Sequence, residues 1–584
     1  MRGFFKSFFA ALLALIAFTA VIVIILLVSV SGFLSPKKPE IPAKSILYID
    51  LGQSYREQEQ ENPLSALGSE DQYNVPGLYD LVRLVRHAKE DTSIKGIYLK
   101  CNDDANGFAT NEEIRIAMLD FKKSGKFVYA YGDVIPQKAY YVANTADRIY
   151  CNPKGGVEWR GFSTEMPFLK GTLQKLDIEP QIFYAGKFKS ATEPLREDKM
   201  TGANRLQLTE LLGDFFNRLL YSTAETRQLD TTTLRKCVDG HLINYPNDAL
   251  TYKLVDGLKY DDEVKDELRE KVKIGKHDFL NFISICKYGK AIDFNASGKD
   301  KIALIYAEGD IVDGKGEKDE IGSDTYRSLI RKARFDKDTK AIVIRINSGG
   351  GSSMASENIW RELSLARKEK PVVVSFGDVA ASGAYYLSCN ADSIFALPGA
   401  ITGSIGVFIV VPNFQRFFNN KLGITFDGVK TAPDADAITA TKPLTPLQRM
   451  YLQNGVDTTY LTFKTRVADG RNKNVAYVDS IAQGRVWSGS KGLQLGLVDR
   501  LGDIQDAIDC AARMAKTSDY RLKEYPEPKS FLDLLLGGYK RSMSMKAMKD
   551  ELGEDGYRTY TTIKKVKASI GITQTKLPFD LTIE

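Results

Sequence analysis

Histidine is scarce in this chain, whose 584 residues include only three: His87, His241 and His277. None of them stands in a recognisable motif or close in sequence to the glycine-flanked serine at position 382. Histidine is the usual base that activates a nucleophilic serine. A nucleophilic serine in this chain would therefore need a different base.

Cysteine pairs and strongly basic segments are also missing. The six cysteines are widely spaced, with no CxxC motif and no neighbouring histidine. Zinc sites need such ligands at short spacing, so we expect no metal ion and no cofactor. The net charge is only +6, and no basic block carries interleaved aromatic residues. Nucleic acid is therefore not an expected partner.

One long apolar run is present, from Phe8 to Val30, and it contains no charged residue. A helix that rises about 1.5 Å per residue over this length crosses a hydrocarbon core of about 30 Å. A cleaved secretory signal has a shorter apolar stretch of about 7–15 residues, so we interpret this run as a retained membrane anchor. Basic residues lie on both sides of it, so charge alone leaves its orientation open.

The middle of the chain contains a long internal repeat. The segment "DVIPQKAYYVANTADRIY" from Asp133 matches "DVAASGAYYLSCNADSIF" from Asp378 without a gap, which is an offset of 245 residues from 133 to 378. The same register pairs "IKGIYLKCNDDANG" from Ile94 with "TKAIVIRINSGGGS" from Thr339. The chain is therefore predicted to hold two copies of one domain.

Each copy alternates short apolar runs with amphipathic segments. In the second copy "AIVIRI" precedes a glycine-rich turn, the helical pattern "ASENIWRELSLARKEK" and the run "PVVVSFG". This order predicts an α/β fold with mainly parallel sheets. We expect an anchor and linker at 1–44, a first repeat at 45–258, a helical linker at 259–300, a second repeat at 301–516 and a C-terminal extension at 517–584.

Two turns in the second copy are candidates for a catalytic site. "NSGGGS" lacks the Gly-Lys-Ser/Thr ending of a phosphate-binding loop, which leaves an oxyanion hole of backbone N–H groups as the functional interpretation. Ser382-Gly383 forms the other turn, in which the Gly383 N–H would be a second donor. The first copy has Gln137 at the position of Ser382, and Asp104-Ala105-Asn106 at the position of the three glycines. Turns with a purely structural role should occur in both copies.

The missing histidine base points to lysine, because burial disfavours the ammonium form and leaves a neutral amine that can accept a proton. The candidates are Lys187 and Lys189 in "YAGKFKSATEP" and Lys430 in "FDGVKTAPDAD". Asp434 and Asp436 follow Lys430 closely and would keep it charged. The sequence pattern alone does not decide between Lys187 and Lys189 as the base.

The motifs "GKFKSATEP", "RINSGGGSSMASE", "GDVAASGAYYLS" and "ITGSIGVF" resemble those of the bacterial signal peptide peptidase family in its long, duplicated form. The resemblance implies that Ser382 is the nucleophile, that Lys189 is the general base and that Ser404 holds the lysine amine. It also implies two tandem domains related to the Clp protease and crotonase superfamily. This site would be shared between the two repeats.

One position departs from the family pattern, since Gly349 replaces the usual proline of the oxyanion loop. The N–H groups of Gly350 and Gly351 are expected to remain available. The resemblance further implies a homotetramer in the cell inner membrane, a single-pass anchor, catalytic pockets on the periplasmic side and remnant signal peptides as substrates. A crotonase-like acyl-CoA enzyme and an inactive membrane scaffold are the alternatives.

Overall fold

A computed structural model of the chain describes residues 38–59, 75–294, 297–436, 438–527 and 573–576, with a few positions among the first 22. Across these ranges no helix combines the length and the apolar character needed to cross a membrane. The predicted anchor, Phe8–Val30, lies largely outside the described residues.

The first repeat contains a parallel sheet with the strand order β6-β4-β3-β2-β1-β7. Its strands are rich in apolar residues that are buried on both faces, as in parallel sheets covered on both sides. The strands of this half are β1 (Ser45–Asp50), β2 (Ile94–Lys100), β3 (Phe127–Ile135), β4 (Arg148–Val157), β5 (Glu179–Ala185), β6 (Gly257–Leu258) and β7 (Phe282–Ser284).

The second repeat contains a larger sheet, with the main strand order β17-β15-β13-β11-β8-β19 and with β14 and β18 beside it. Its pairings are parallel except for that of β15 with β17. The strands of this half are β8 (Asp300–Glu308), β9 (Asp310–Val312), β10 (Glu320–Gly322), β11 (Thr339–Ser348), β12 (Gly350–Ser352), β13 (Val372–Ala381), β14 (Ser393–Ala396), β15 (Ile401–Gly403), β16 (Val407–Asn413), β17 (Val486–Ser488), β18 (Arg500–Leu501), β19 (Tyr520–Tyr525) and β20 (Gln574–Lys576).

The helices follow the strands in the order expected of an α/β protein. In the first half they are α1 (Leu78–Glu90), α2 (Phe108–Lys122), α3 (Gln137–Ala143), α4 (Lys170–Lys175), α5 (Glu193–Arg196), α6 (Gly202–Arg227), α7 (Thr231–Asp239), α8 (Pro246–Thr251), α9 (Asp261–Val272) and α10 (Ile285–Ala291). In the second half they are α11 (Ser323–Phe335), α12 (Ser353–Arg367), α13 (Gly383–Ser388), α14 (Gln415–Phe417), α15 (Pro446–Gly470), α16 (Val475–Ile481), α17 (Gly489–Gln494) and α18 (Ile504–Met514). Short 3₁₀ and π turns occur at Ser190–Thr192 and Phe418–Leu422.

The internal repeat is confirmed by the positions of these elements. Helices α1 and α2 match α11 and α12 residue for residue at the offset of 245, from 78 to 323 and from 108 to 353. Strands β3 and β13 begin at the same offset, from 127 to 372. The predicted α/β architecture with mainly parallel sheets is therefore also confirmed.

Helix α12 illustrates how the local sequence specifies an element. The Ser352 hydroxyl accepts a hydrogen bond from the Ala355 N–H, which caps the helix N-terminus. Ile359, Leu363 and Ala366 recur at helical spacing and are buried in the core of the second half. The helix therefore follows the glycine-rich turn directly and fixes where that turn ends.

A third sheet joins the two halves, with the order β10-β9-β12-β20-β16-β5. Strand β5 of the first repeat pairs antiparallel with β16 of the second, from Ala185 opposite Val407 to Glu179 opposite Asn413. Because the chain leaves β5 four residues before Lys189, this pairing brings that lysine to the second repeat.

A buried ion cluster also fixes the relation of the halves. Arg345 on β11 is fully buried, and its Nε donates to Glu57 Oε2 at 2.7 Å. Its Nη2 lies 2.7 Å from Glu113 Oε1 on α2, a helix of the first repeat. Asp378 of the second repeat accepts hydrogen bonds from the N–H groups of Ala109 and Thr110 at the start of the same helix. The halves are therefore held by buried charges as well as by the shared sheet.

The segments between and after the repeats contribute to the sheets. The linker predicted at 259–300 contains α9 and α10, but also β7, which pairs with β1. Within the predicted C-terminal extension, β19 pairs with β8 at the edge of the second sheet. Also within the extension, the described strand β20 lies in the sheet that joins the halves.

Candidate active site

Ser382 lies at the sharp turn between β13 and α13. Its backbone adopts φ 58° and ψ −114°, which is strained for a residue with a side chain and is typical of functional positions. Its N–H donates to the Gly403 carbonyl at 2.8 Å, and its O accepts from the Tyr386 N–H. The residue is fully buried, so its hydroxyl is held in one place and away from bulk water.

The side chain of Lys189 reaches this hydroxyl from the other repeat. Lys189 Nζ lies 2.8 Å from Ser382 Oγ, and the lysine is only 1% exposed. Burial in this site lowers the pKa of Lys189 well below its usual value of 10.5. Among the described residues this amine forms no ion pair with a carboxylate. A neutral amine beside a hydroxyl can accept its proton.

Ser404 lies beside the lysine amine. Lys189 Nζ lies 3.0 Å from Ser404 Oγ and donates to the Ser404 carbonyl oxygen at 3.2 Å. Ser404 follows β15, adopts a φ of 51° and donates its N–H to the Arg485 carbonyl at 2.7 Å. The structure therefore places Ser404 next to the lysine amine, as the family resemblance implied.

The segment that carries Lys189 is fixed by residues that the sequence motifs did not single out. Gln207 on α6 donates to the Phe188 carbonyl at 3.2 Å and to Ser190 Oγ at 3.0 Å, on either side of the lysine. Gly484, with a φ of 76°, lies so close that a Cβ there would be 2.6 Å from the Lys189 Cβ. These residues are distant in sequence, so no local pattern relates them to the lysine.

The glycine-rich loop lies beside the Ser382 turn, as the oxyanion interpretation requires. Gly350 has a φ of 99°, and a Cβ on it would lie 2.7 Å from the Gly383 nitrogen. The Gly350 N–H donates to Ser348 Oγ at 3.2 Å. Gly351 follows in β12, opposite Ile311 of β9. Gly350 and Gly383 therefore lie next to each other beside Ser382.

Residues 574–576 pass beside these two glycines. Thr575 is fully buried, and a Cβ on Gly350 would lie 2.1 Å from its carbonyl oxygen. A Cβ on Gly383 would lie 3.0 Å from the same oxygen. No sequence pattern predicted the C-terminal extension at this place, because the segment is short and carries no motif.

The other two candidate lysines lie away from Ser382. Lys187 is exposed, and its Nζ lies 5.8 Å from the centre of the Phe188 ring. Lys430 keeps 46% of its side chain exposed and pairs with Asp436 at 3.2 Å, as the neighbouring carboxylates led us to expect. Its Nζ also donates to the Pro433 carbonyl at 2.9 Å. Only Lys189 of the three is brought to the serine.

The corresponding place in the first repeat is closed. Gln137, at the position of Ser382, accepts hydrogen bonds on its side-chain oxygen from the N–H groups of Arg160 and Gly161. Asp104 replaces the first glycine of the triplet and accepts from the Asn106 N–H at 2.8 Å. Burial raises the pKa of this carboxyl to about 6. The first repeat thus contains neither a hydroxyl nor a glycine loop at this place.

The chemistry available at the site is nucleophilic attack by a hydroxyl assisted by an amine. Among the described residues no cluster of three or more histidine, cysteine or acidic side chains could hold a metal ion. All six cysteines are free thiols, five of them buried. His87 contacts Tyr288 in the first repeat at 2.9 Å, and His241 and His277 lie at the surface. The Ser382 hydroxyl and the Lys189 amine are the polar side-chain groups that meet at this place.

Comparisons with known proteins find relatives that align with most of the chain. The chain is 37% identical over 493 residues to Protease 4 of Salmonella typhi, which covers 81% of the chain and 78% of that protein. It is 31% identical over 484 residues to the chloroplastic serine protease SPPA of Arabidopsis thaliana, covering 80% of the chain and 71% of that protein. A putative signal peptide peptidase SppA of Enterococcus faecium is 31% identical over 242 residues, covering 40% of the chain and 70% of that protein.

The family model of peptidase family S49 matches the chain twice, at residues 120–275 and 364–518. One match begins in each repeat and runs past its predicted end, at 258 or 516, and the second match contains Ser382 and Ser404. The first contains Lys189. Because both halves match and the relatives align over most of the chain, the protein belongs to peptidase family S49 and is a serine protease.

Proposed function

We propose that this protein is a membrane-anchored endopeptidase whose nucleophile is Ser382 and whose general base is Lys189. The observation that carries the proposal is the 2.8 Å separation of Lys189 Nζ from Ser382 Oγ, inside a buried site that lowers the pKa of the lysine. A general base must lie within hydrogen-bond reach of the proton that it accepts and must be neutral when it acts. Lys189 lies within that reach, and its lowered pKa favours the neutral form.

In the proposed reaction Ser382 Oγ attacks the carbonyl carbon of a peptide bond while its proton moves to Lys189 Nζ. The carbonyl oxygen gains negative charge and is stabilised by backbone N–H groups of Gly351 and Gly383. The Gly350 N–H, which donates to Ser348 Oγ, would have to turn away from that hydroxyl to join them. The lysine ammonium then gives its proton to the leaving amine, and an acyl-enzyme forms. Water, deprotonated by the same amine, releases the acyl group and regenerates Ser382.

Ser404 is proposed to orient Lys189, since its hydroxyl and its carbonyl oxygen both lie within 3.2 Å of the amine. A lysine has a long and flexible side chain, so fixing the amine reduces the entropy lost when it meets the serine. Ser404 does not touch the reacting carbonyl in this scheme. It acts through the position of the lysine.

The proposed substrates are remnant signal peptides and other apolar peptides. This proposal is supported by the similarity to a putative signal peptide peptidase and by the apolar run at Phe8–Val30, which would hold the enzyme at a membrane. We also propose, from the family resemblance, a homotetramer in the cell inner membrane with its sites on the periplasmic side. These last points rest on the resemblance and on the sequence.

A fluorophosphonate probe tests the proposal directly, because it phosphonylates an activated serine. We expect labelling of the wild-type protein at Ser382, located by tryptic mass spectrometry, and hydrolysis of a fluorogenic apolar peptide. Ser382→Ala should lose both signals while its circular dichroism spectrum stays unchanged. Peptide hydrolysis that survives in Ser382→Ala would overturn the proposal, and a wild-type protein that neither labels nor hydrolyses would favour a crotonase-like enzyme or an inactive scaffold.

A further inference from the structure

The side-chain amide of Gln207, on α6, lies between the segment that carries Lys189 and a strand of the second repeat. The residue is only 1% exposed. Its Nε2 donates to the Phe188 carbonyl at 3.2 Å and to Ser190 Oγ at 3.0 Å, on either side of the lysine. Its Oε1 accepts from the Val486 N–H at 3.2 Å. One buried amide therefore links the two repeats at this place.

The strand that begins at Val486, β17, also supports the serine side of the site. It pairs with β15, with Val486 opposite Gly403. The Gly403 carbonyl accepts the Ser382 N–H at 2.8 Å. Ser404, the next residue, donates its N–H to the Arg485 carbonyl at 2.7 Å. The amide thus reaches the backbone of both serines through β17 and the residue before it.

The orientation of this amide is fixed by its partners. A backbone N–H can only donate and a carbonyl can only accept, so Oε1 must face Val486 and Nε2 must face Phe188. Asn204, one turn earlier on α6, accepts from the same Nε2 at 3.0 Å. Asn204 is fully buried and donates its own amide to Glu193 Oε2 at 2.9 Å. Gln207 is therefore held in one orientation by bonds to both repeats.

The lysine segment needs such a fixed point because the shared sheet ends before it. The pairing of β5 with β16 stops at Ala185 opposite Val407, four residues before Lys189. Gly186 follows with a φ of 111°, which ends the extended backbone. A displacement of about 1 Å in a catalytic group can reduce the rate about 10²-fold. Contacts beyond the sheet must therefore set where the lysine lies.

From these contacts we propose that Gln207 is a positioning residue for the reaction, which sets the separation of Lys189 from Ser382 across the boundary between the repeats. This inference rests on the proposed peptidase function. Gln207 donates to the neighbours of the lysine rather than to its amine, so it acts through the backbone. Without the amide, the lysine segment and β17 can move apart, and the amine can leave its buried place beside the serine.

Gln207→Met tests this role, because it keeps an unbranched side chain of similar length and removes the hydrogen bonds to both repeats. We expect kcat for a fluorogenic peptide to fall about 10²-fold, with KM within about twofold of the wild type. The midpoint of the kcat–pH profile should also rise by at least about one pH unit, because an amine that reaches water loses the burial that lowers its pKa. A residue that only stabilises the fold would leave this midpoint unchanged.

Two further variants complete the experiment. Gln207→Glu preserves the shape of the side chain and the acceptor for Val486, but it replaces the donor with an oxygen that faces the Phe188 carbonyl. It should lower kcat and raise the pH midpoint as well, and it decides the question alone if Gln207→Met does not fold. Gln174→Met makes the same chemical change at an exposed position on α4 and should keep both values of the wild type.

Wild-type kcat and an unchanged pH midpoint in the folded variants at position 207 would overturn the inference. A fall in kcat with an unchanged midpoint would also overturn it, since that pattern belongs to a structural role. Failure of the proposed function is read separately, from fluorophosphonate labelling of Ser382 in the wild-type protein. Labelled Ser382 with wild-type behaviour of the variants would reject only the positioning role, whereas absent labelling would reject the peptidase mechanism and this role with it.

Discussion

Lys189 and Ser382 are separated by 193 positions in the chain, yet the lysine Nζ lies 2.8 Å from the serine Oγ. The lysine belongs to the first repeat and the serine to the second. The two side chains are close because β5, the strand that precedes the lysine, pairs antiparallel with β16 of the second repeat. A duplicated chain can thus carry a single site to which each copy contributes one reactive group.

The first prediction follows from this shared site. Lys189→Ala should reduce turnover of a fluorogenic peptide at least about 10³-fold, as Ser382→Ala does, because groups that act as a unit fail together. Lys187→Ala and Lys430→Ala should keep turnover within about threefold of the wild type, since single changes at exposed residues usually have small effects. Initial rates of the four purified variants provide the comparison. Loss of turnover in Lys430→Ala together with normal turnover in Lys189→Ala would contradict a site shared between the two repeats.

The site residues that could be predicted from the sequence are those whose patterns are local in the chain. The turn with Ser382 and the glycine triplet were found because they are local and because the other copy lacks them. The choice of Lys189 over Lys187 came from the family motif, since the burial that separates the two depends on which way the chain turns after β5. Gln207 and Gly484 were missed because their contacts with the lysine segment are purely tertiary.

The position of strand β20 was missed for a related reason. Residues 574–576 carry no apolar periodicity and no motif, and their position follows from strand edges contributed by β12 and β16. By contrast, the elements of each repeat could be predicted well, because alternating buried strands and amphipathic helices leave a periodic pattern in the sequence. Long-range backbone pairing leaves no such pattern.

The second prediction concerns the glycine that supports the lysine. Gly484→Ala should lower kcat by about 10²-fold, since a 1 Å displacement of a catalytic group can have that effect. The added Cβ would lie 2.6 Å from the Lys189 Cβ, and the φ of 76° disfavours a side chain. Gly455→Ala on α15 is the control, because nothing lies within 4 Å of a Cβ there. Equal kcat values for the two variants would show that the lysine segment adjusts freely.

The third prediction tests the buried ion cluster between the halves. Arg345→Ala leaves Glu57 and Glu113 buried beside an empty space, so it should lower the free energy of unfolding by about 3–5 kcal/mol. Arg327→Ala removes a partly exposed pair with Asp324 and should change it by less than about 1 kcal/mol. Urea denaturation followed by tryptophan fluorescence measures both. Similar midpoints for the two variants would mean that the cluster does not hold the halves together.

The fourth prediction concerns the effect of pH on turnover. The lysine must be neutral to act, and burial lowers its pKa well below 10.5. With chemistry limiting, kcat should therefore rise with pH through a single ionisation below that value and then level off. Single-turnover rates between pH 5 and pH 10, with a substrate that does not itself ionise, give the profile. A midpoint near the pKa of an ordinary lysine would argue against Lys189 as the base.

The last prediction extends the same shift to stability. The folded state disfavours the ammonium form of Lys189, so over the interval between the folded pKa and 10.5 the unfolded state binds a proton that the folded state lacks. This group therefore lowers stability as pH falls from 10.5 towards the folded pKa, by up to about 1.4 kcal/mol per pH unit, and the loss is complete below the folded pKa.

The variant Lys189→Met tests this effect, because it removes the ionisation but keeps a side chain of similar shape. Its advantage over the wild type in unfolding free energy should be largest at acidic pH and should shrink as the pH approaches 10.5. Lys187→Met, at an exposed position, should differ from the wild type by the same small amount at every pH. Parallel pH curves for the wild type and Lys189→Met would show that the buried amine carries no such penalty.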